Sequence, residues 1–401
     1  DCFNGNRCIS GATFRRGKAE LLPWVISVLV LVPQAIGQRR FSDPLAVPMA
    51  VILGWAAGRF LHLGKPRLLA GAGRGLRSLP GGLQLLLGAV LVSAMQFDTV
   101  HSISGRLTLA HRPETDPQLR RQRGRRLMYE WLRRHSPETA DYSVMANWDQ
   151  GHLIEWVADR PSVATNFGTY VGQQSFDDPP LFFMSTSQEE AEAILDRRRA
   201  RYVMVTSVLP RRVPNLVNII MPERHDEFLG RDPRGNPMIR TIWFKTIGAL
   251  LIGDGFHYSP DGKLFSGPLR FLRLIYISPF RDVDPKMIGY HKESPVGWIW
   301  EHVPGAILEA HGTPGTVFRI RFSVRYEKAG HTLEYEDSVM LGPDGTGRLR
   351  VPYTTEGPNG DGVIVGRPQW FLGNRAHRLV IPEQTVLEGR TLEFPPKEAG
   401  R

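Results

Sequence analysis

The run Tyr142–Gly168, YSVMANWDQGHLIEWVADRPSVATNFG, decides how the middle of the chain folds. Tyr142–Met145 reads as a short strand, Trp148–Ala158 as a helix, and Ser162–Thr165 as a return to extended chain. Working outward, Asp116-Pro117 opens a helix over Gln118–His135 with an apolar stripe of Leu119, Leu127, Met128, Trp131 and Leu132. On the other side, Ser187-Gln188-Glu189-Glu190 is a capping box, the Glu reaching back to the Ser amide, for a helix through Arg199. Arg201–Thr206 (RYVMVT) follows as a buried strand, then a helix around Met238–Leu251 and a strand around Leu269–Ile277. This alternation assigns residues 98–294 to a mixed α/β domain.

Composition changes near Ser294. Short apolar runs (VFRIRFSVRY, RLRVPY, HRLVIP) alternate with the turns GTPGT, GPDGTG and GPNGDG, which predicts an all-β sandwich over residues 295–401.

Toward the N-terminus the pattern is different. Residues 1–100 hold eleven Lys/Arg against four Asp/Glu, in a chain of 401 residues with a net charge of +10. On a nucleic-acid module that charge would sit on one face among stacking aromatics. Here it punctuates three uncharged runs, Leu21–Gln38, Pro44–Gly58 and Ser78–Phe97. The lengths predict membrane spans near residues 21–38, 43–60 and 78–97. The flanking Arg and Lys put residues 1–19 in the cytoplasm and everything after Phe97 outside it. The expected fold class is therefore a membrane protein: three transmembrane helices, 20–97, then a mixed α/β periplasmic domain and a β-sandwich. Cys2 and Cys8, the two cysteines, both precede residue 10, which excludes a disulfide scaffold. Gly71, Gly73 and Gly75 lack the strand, helix and acidic residue of a dinucleotide loop.

The chemistry concentrates in Asn147-Trp148-Asp149-Gln150-Gly151. One reading is structural: Asp149 caps a helix whose Trp148 is a core indole. The other is a hydroxyl-binding pocket, because an indole N–H only donates, a carboxylate only accepts, and a Ser or Thr hydroxyl does both. His152 either lines that pocket or is a polar group at a helix start.

The run resembles the WWDYG signature of the oligosaccharyltransferase catalytic subunit in its bacterial or archaeal single-subunit form. The resemblance extends in order through GQRRFSDPLAVPMAV, LMYEWL with Ser136-Pro137-Glu138, FMSTSQEEAEAILDRRRARYVMV and LRFLRLIYISP, from about Leu21 to Pro279. IWEHVPGA resembles β-domains appended in some members. It implies transfer of a lipid-diphosphate-linked glycan to Asn in Asn-X-Ser/Thr sequons, with membrane, lipid-linked oligosaccharide and acceptor polypeptide as partners. By position, Trp148, Asp149 and Asn147 would hold the sequon hydroxyl. Asn147, replacing an aromatic residue, offers an amide donor but no aromatic wall. Arg40 would contact the lipid diphosphate, or else is an interfacial charge that snorkels. The family's second sequon-contacting motif finds no matching register in Pro214–Met221.

The resemblance also implies a divalent metal, Mn or Mg, whose acidic ligands lie before the last three spans and so outside this chain. The chain, which starts DCFNGNRC, is expected to be the C-terminal part of the enzyme or a remnant, and not competent for transfer by itself. Asp282-Val283-Asp284 mimics a DxD pair but follows Pro279-Phe280-Arg281 in a predicted turn. Two other classes stay open: a membrane-anchored peptide-binding accessory protein, and a related membrane glycosyltransferase with another acceptor.

Overall fold

A computed structural model describes residues 117–395, apart from 140, 254, 256, 259–263, 267, 283–293, 361 and 374. Arg40, both cysteines and the runs expected to span a membrane lie outside the described residues. Within them the membrane-protein fold class is corrected. Among the described residues no helix is long and apolar enough to cross a bilayer. The longest, α1 (Pro117–His135), carries seven arginines in 19 residues. The described architecture is a mixed α/β layer joined to a β-rich body.

The α/β layer follows from strands buried on both faces. After α1 come β1 (Ser143–Met145), α2 (Trp148–Leu153), α3 (Gln173–Met184), α4 (Gln188–Arg197), β2 (Ala200–Thr206), α5 (Leu209–Ile220), α6 (Ile247–Ile252), β3 (Leu272–Ile277) and β4 (Gly297–His302). The sheet order is β1-β2-β4-β3. β1 and β2 run parallel, with Ser143 opposite Ala200 and Met145 opposite Val203. β4 pairs antiparallel with both β2 and β3, Trp300 opposite Val203 and Leu274. The period-2 alternation of strand side chains divides the core. Tyr202 and Met204 join Met128, Tyr129 and Leu132 of α1 on one face; Val203 and Val205 join Phe183, Leu209 and Leu216 on the other.

The stretch expected as one helix around Met238–Leu251 is a short strand, Pro237–Ile239, a 3-10 turn, Thr241–Lys245, and then α6. The capping box is half made. The Ser187 hydroxyl accepts from the Glu190 amide at 3.2 Å, whereas the Glu190 carboxylate accepts from the Ser185 hydroxyl instead of the Ser187 amide.

The change in composition near Ser294 does not mark the end of the first sheet, because β4 lies beyond it and pairs centrally there. The remaining elements are β5 (Ala306–His311), β6 (Val317–Tyr326), β7 (His331–Met340), β8 (Thr346–Val351), β9 (Val363–Leu372), β10 (Arg375–Arg378), α7 (Glu383–Glu388) and β11 (Thr391–Phe394). They form two sheets, β8-β5-β11 and β7-β6-β9-β10. Phe318, Ile320, Phe322 and Val324 alternate inward along β6, and Phe318 meets Phe394 of the facing sheet at 5.7 Å between ring centroids.

Charged and polar links weld the two parts. The edge strand β3 has its Leu274 amide donating to the Tyr353 hydroxyl and its Leu274 carbonyl accepting from Tyr326. Arg273, buried on the same strand, bridges Glu301 of β4 and Glu383 of α7. Arg350 of β8 makes a two-pronged bridge to Glu192 of α4, both contacts 2.7 Å.

Arg273→Ala strands the buried Glu301 beside a half-exposed Arg201 and is expected to destabilise the described body by about 3–5 kcal/mol. Urea unfolding of wild type and variant reads this directly. Burial alone would raise the Glu192 carboxyl, but hydrogen bonds from His302 and Arg350 outweigh it and hold it down at about 2. Its folded value lies below its ordinary 4.5. The bridge therefore stabilises at higher pH and is lost as pH falls from about 4.5 toward 2. Glu192→Gln should flatten thermal stability across that window.

Candidate functional site

The site grows from the parallel pair β1–β2. Parallel strands end on the same side, and open α/β sheets leave their crevices outside those carboxyl ends. From the end of β1 the chain passes through Ala146 and Asn147 directly into α2; from the end of β2 it passes through Ser207 and Val208 into α5. The crevice between them is narrow, with a cavity volume of about 10 Å³, room for roughly one water. Asn147, Asp149, Gln150 and Arg212 form its polar wall, and Phe183, Met204, Val208 and Leu209 its apolar one.

A glycine brings α2 this close. Gly151 is buried, and a Cβ added to it would lie 2.0 Å from the backbone carbonyl oxygen of Ala164. The helix rests directly on the extended segment that follows it. α1 fixes the helix from its other side: the buried Tyr129 hydroxyl donates to Gln150 Oε1 at 2.5 Å. Burial pushes the Tyr129 phenol well above its ordinary range, with Arg125 opposing and Asp149 adding to the shift, so it stays a neutral donor. Farther on, Arg160 turns inward. Its guanidinium donates to the Ser136 hydroxyl and to the carbonyls of Arg133 and Ser136, each at 2.8 Å, closing the C-terminal end of α1.

Of the residues singled out by sequence, Asn147 is the N-cap of α2, but its side chain does not cap. Its Nδ2 donates to Asp149 Oδ1 at 2.9 Å. The other Asp149 oxygen accepts from Arg212 Nη2 at 3.1 Å, so the carboxylate is held from both sides. Asp149 likewise makes no cap to the helix amides. Trp148 is half-buried, stacked on Phe176 with 4.6 Å between centroids, and does not line the crevice. His152 sits edge-on to Phe167 and is outside the crevice as well.

Arg212, Tyr129 and Gln150 were not picked out as site residues. Arg212 is 63 positions from Asp149, so nothing local links them; the one available signal was an Arg-Arg pair opening the helix after β2. The stretch Pro214–Met221 searched for a second sequon motif is the body of α5, with Met221 buried in the core.

Among the described residues no group of three or more His, Cys, Asp or Glu side chains is placed to hold a metal ion. Asp282 is spent on Arg121, at 2.7 and 2.8 Å, and on the Ser207 hydroxyl at 2.9 Å, while Asp284 lies outside the described residues. Among the described residues these side chains do not form a site for a divalent ion.

Gly151→Ala should displace α2 and lower the melting temperature by several degrees. A cycle with Tyr129→Phe tests whether α1 and the glycine contact hold the same helix: the pair is expected to couple rather than add.

Residues 126–210 match the family model described as the AglB core domain, and residues 305–392 match the Archaeal glycosylation protein B long peripheral domain. The chain is 39% identical over 72 residues to dolichyl-phosphooligosaccharide-protein glycotransferase 2 of Archaeoglobus fulgidus, a stretch covering 18% of this chain and 11% of that protein. Its fold is similar to an archaeal oligosaccharyltransferase from Archaeoglobus fulgidus solved with an inhibitory peptide and a dolichol-phosphate (TM-score 0.56, 17% identity, 93% of this chain and 53% of that one). The oligosaccharyltransferase of that organism solved with a tethered acceptor peptide containing the NVT sequon gives TM-score 0.56 at 16% identity, over 96% and 57% of the two chains. Another structure of it, with Zn and sulfate, gives TM-score 0.53 at 16% identity, over 96% and 61%. At these identities the likeness is one of fold, and this chain spans between half and two thirds of those structures. The two matched stretches follow one another along this chain, and of the crevice residues Asn147, Asp149, Gln150 and Leu209 fall within the first while Arg212 lies just beyond it.

Proposed function

We propose that this chain is the C-terminal part of a glycosyltransferase that moves a lipid-diphosphate-linked glycan onto Asn in Asn-X-Ser/Thr sequons, and that the crevice between β1 and β2 receives the Ser/Thr side chain. The observation that carries the reading is the position of Asn147-Trp148-Asp149 at the strand ends inside the matched core domain. A small hydroxyl-bearing side chain suits a crevice with one polar and one apolar wall. The apolar residues Leu209 and Val208 would take the Thr methyl. Asp149, fixed by Asn147 and Arg212, keeps the polar wall in place without reorganisation, which is how a preorganised site gains specificity. Trp148, packed on Phe176 outside the crevice lining, would support the neighbouring Asn147 and Asp149 rather than touch the side chain itself.

The partners in this reading are an acceptor polypeptide, a lipid-linked oligosaccharide and the membrane surface that presents it, with the described body on the side where acceptor chains emerge. Arg40 is the residue assigned to the lipid diphosphate. A divalent metal belongs to the full reaction, where it neutralises the leaving diphosphate and polarises the acceptor. In this reading the described residues do none of that work; they select and hold the acceptor.

A membrane fraction of the source organism, supplied with its own lipid-linked donor and peptides carrying Thr, Ser or Ala at the third sequon position, tests the proposal. Transfer to the Thr and Ser peptides and at least tenfold less to the Ala peptide is expected. Asp149→Ala should lower transfer to the Thr peptide by at least tenfold, and Arg212→Ala by less. Indifference to the third residue would overturn the reading.

A further inference from the structure

Resting on the acceptor reading above, we infer that the sequon hydroxyl donates its proton to the side-chain carbonyl of Asn147, which makes Asn147 the specificity-determining acceptor of the crevice. The oxygens still free in the crevice decide where a hydroxyl can donate. Both oxygens of Asp149 already accept one hydrogen bond each, Oδ1 from Asn147 Nδ2 and Oδ2 from Arg212, and each keeps one further lone pair, whereas an oxygen with no donor at all gains most from an entering hydroxyl. The orientation of the Asn147 amide is fixed by the same contact. Turned over, its oxygen would face the Asp149 carboxylate at about the present 2.9 Å, acceptor against acceptor. Nδ2 therefore points to Asp149, and Oδ1 points away from it.

That Oδ1 is buried and has no hydrogen-bond partner. Asn147 is 7% exposed, and it lines the crevice. A buried oxygen without a donor is destabilising, and native proteins leave few of them. A ligand hydroxyl entering the crevice supplies the missing donor. The amide expected from sequence to donate to the hydroxyl thus takes the opposite part, since its N–H₂ orients Asp149 and its carbonyl receives. Replacing an aromatic residue at this position adds an acceptor to the site, where an indole would have added a donor.

The consequence is a requirement for a proton on the acceptor side chain. Valine has the shape of threonine without the hydroxyl, so binding of fluorescent Asn-X-Thr and Asn-X-Val peptides to the full 401-residue chain isolates the contact. A preference for Thr of about tenfold is expected, falling to about twofold or less in Asn147→Leu. Asn147→Ala, with no bulk to clash, should behave the same way, and circular dichroism with melting curves confirms that at least one variant is folded. If a folded Asn147 variant keeps the full preference while Asp149→Asn loses it, the hydroxyl goes to Asp149 and the assignment is wrong, although the acceptor reading stands. If the wild-type chain binds Thr and Val peptides alike, or binds neither, the acceptor reading itself fails and the assignment falls with it.

Discussion

The parallel ladder between β1 and β2 sets Met145 beside Val203, and everything at the crevice depends on that pairing. It brings the exits of two strands, about 60 positions apart in sequence, to one edge of the layer. One exit leads to Asn147 and Asp149, the other to Leu209 and Arg212. A slip of one residue would turn Tyr202 and Met204 away from α1 and toward the face now filled by Val203 and Val205. Both faces are packed, so the register is strongly held. Gly151 against Ala164 and Tyr129 against Gln150 then fix the helix that follows β1, with one contact made by backbone and the other by a buried phenol.

The β-rich body supports this layer from the far side. Its tyrosines occupy both backbone groups of Leu274 on the edge strand, which would otherwise be an exposed pairing edge. Arg273 and Arg350 add charged links across the same junction. Replacing such buried pairs by apolar side chains is often neutral for stability, while breaking one partner is costly. Their effect here is geometric: each guanidinium fork holds a carboxylate on a neighbouring element at a set angle. The crevice is thus borne on a layer that is pinned along its opposite edge.

Much of this arrangement was legible in the sequence. Strand, helix and extended return around Asn147-Trp148-Asp149 were readable from apolar spacing, as were α1 from its stripe and β6 from its alternation. What stayed hidden was non-local. Arg212 takes its meaning from Asp149 only after β2 has paired with β1. The strand Gly297–His302 belongs by composition to the region after Ser294, yet its tryptophans insert between β2 and β3. Asn147 was visible as a departure from an aromatic signature, but which end of its amide is left to accept depends on the Asp149 carboxylate beside it, which takes the N–H₂ end. The capping box failed for a similar reason: Ser185, two residues upstream of Ser187, competes for the Glu190 carboxylate. The expectation of membrane spans fell on residues outside those described, and among the described ones arginine-rich α1 shows why the longest helix is no span.

The central claim is that the strand-end crevice receives the third residue of the acceptor sequence. Photo-crosslinking tests it most directly. An Asn-X-Thr peptide is compared with one carrying a small diazirine side chain in place of Thr, and the labelled residues of the full chain are mapped by mass spectrometry. The account predicts labels on Asn147, Leu209 and Arg212, suppressed by excess unmodified Thr peptide. Labels that spare these residues and cluster instead around Leu387 and Pro304, in the larger cleft at the junction with the β-rich body, would contradict it.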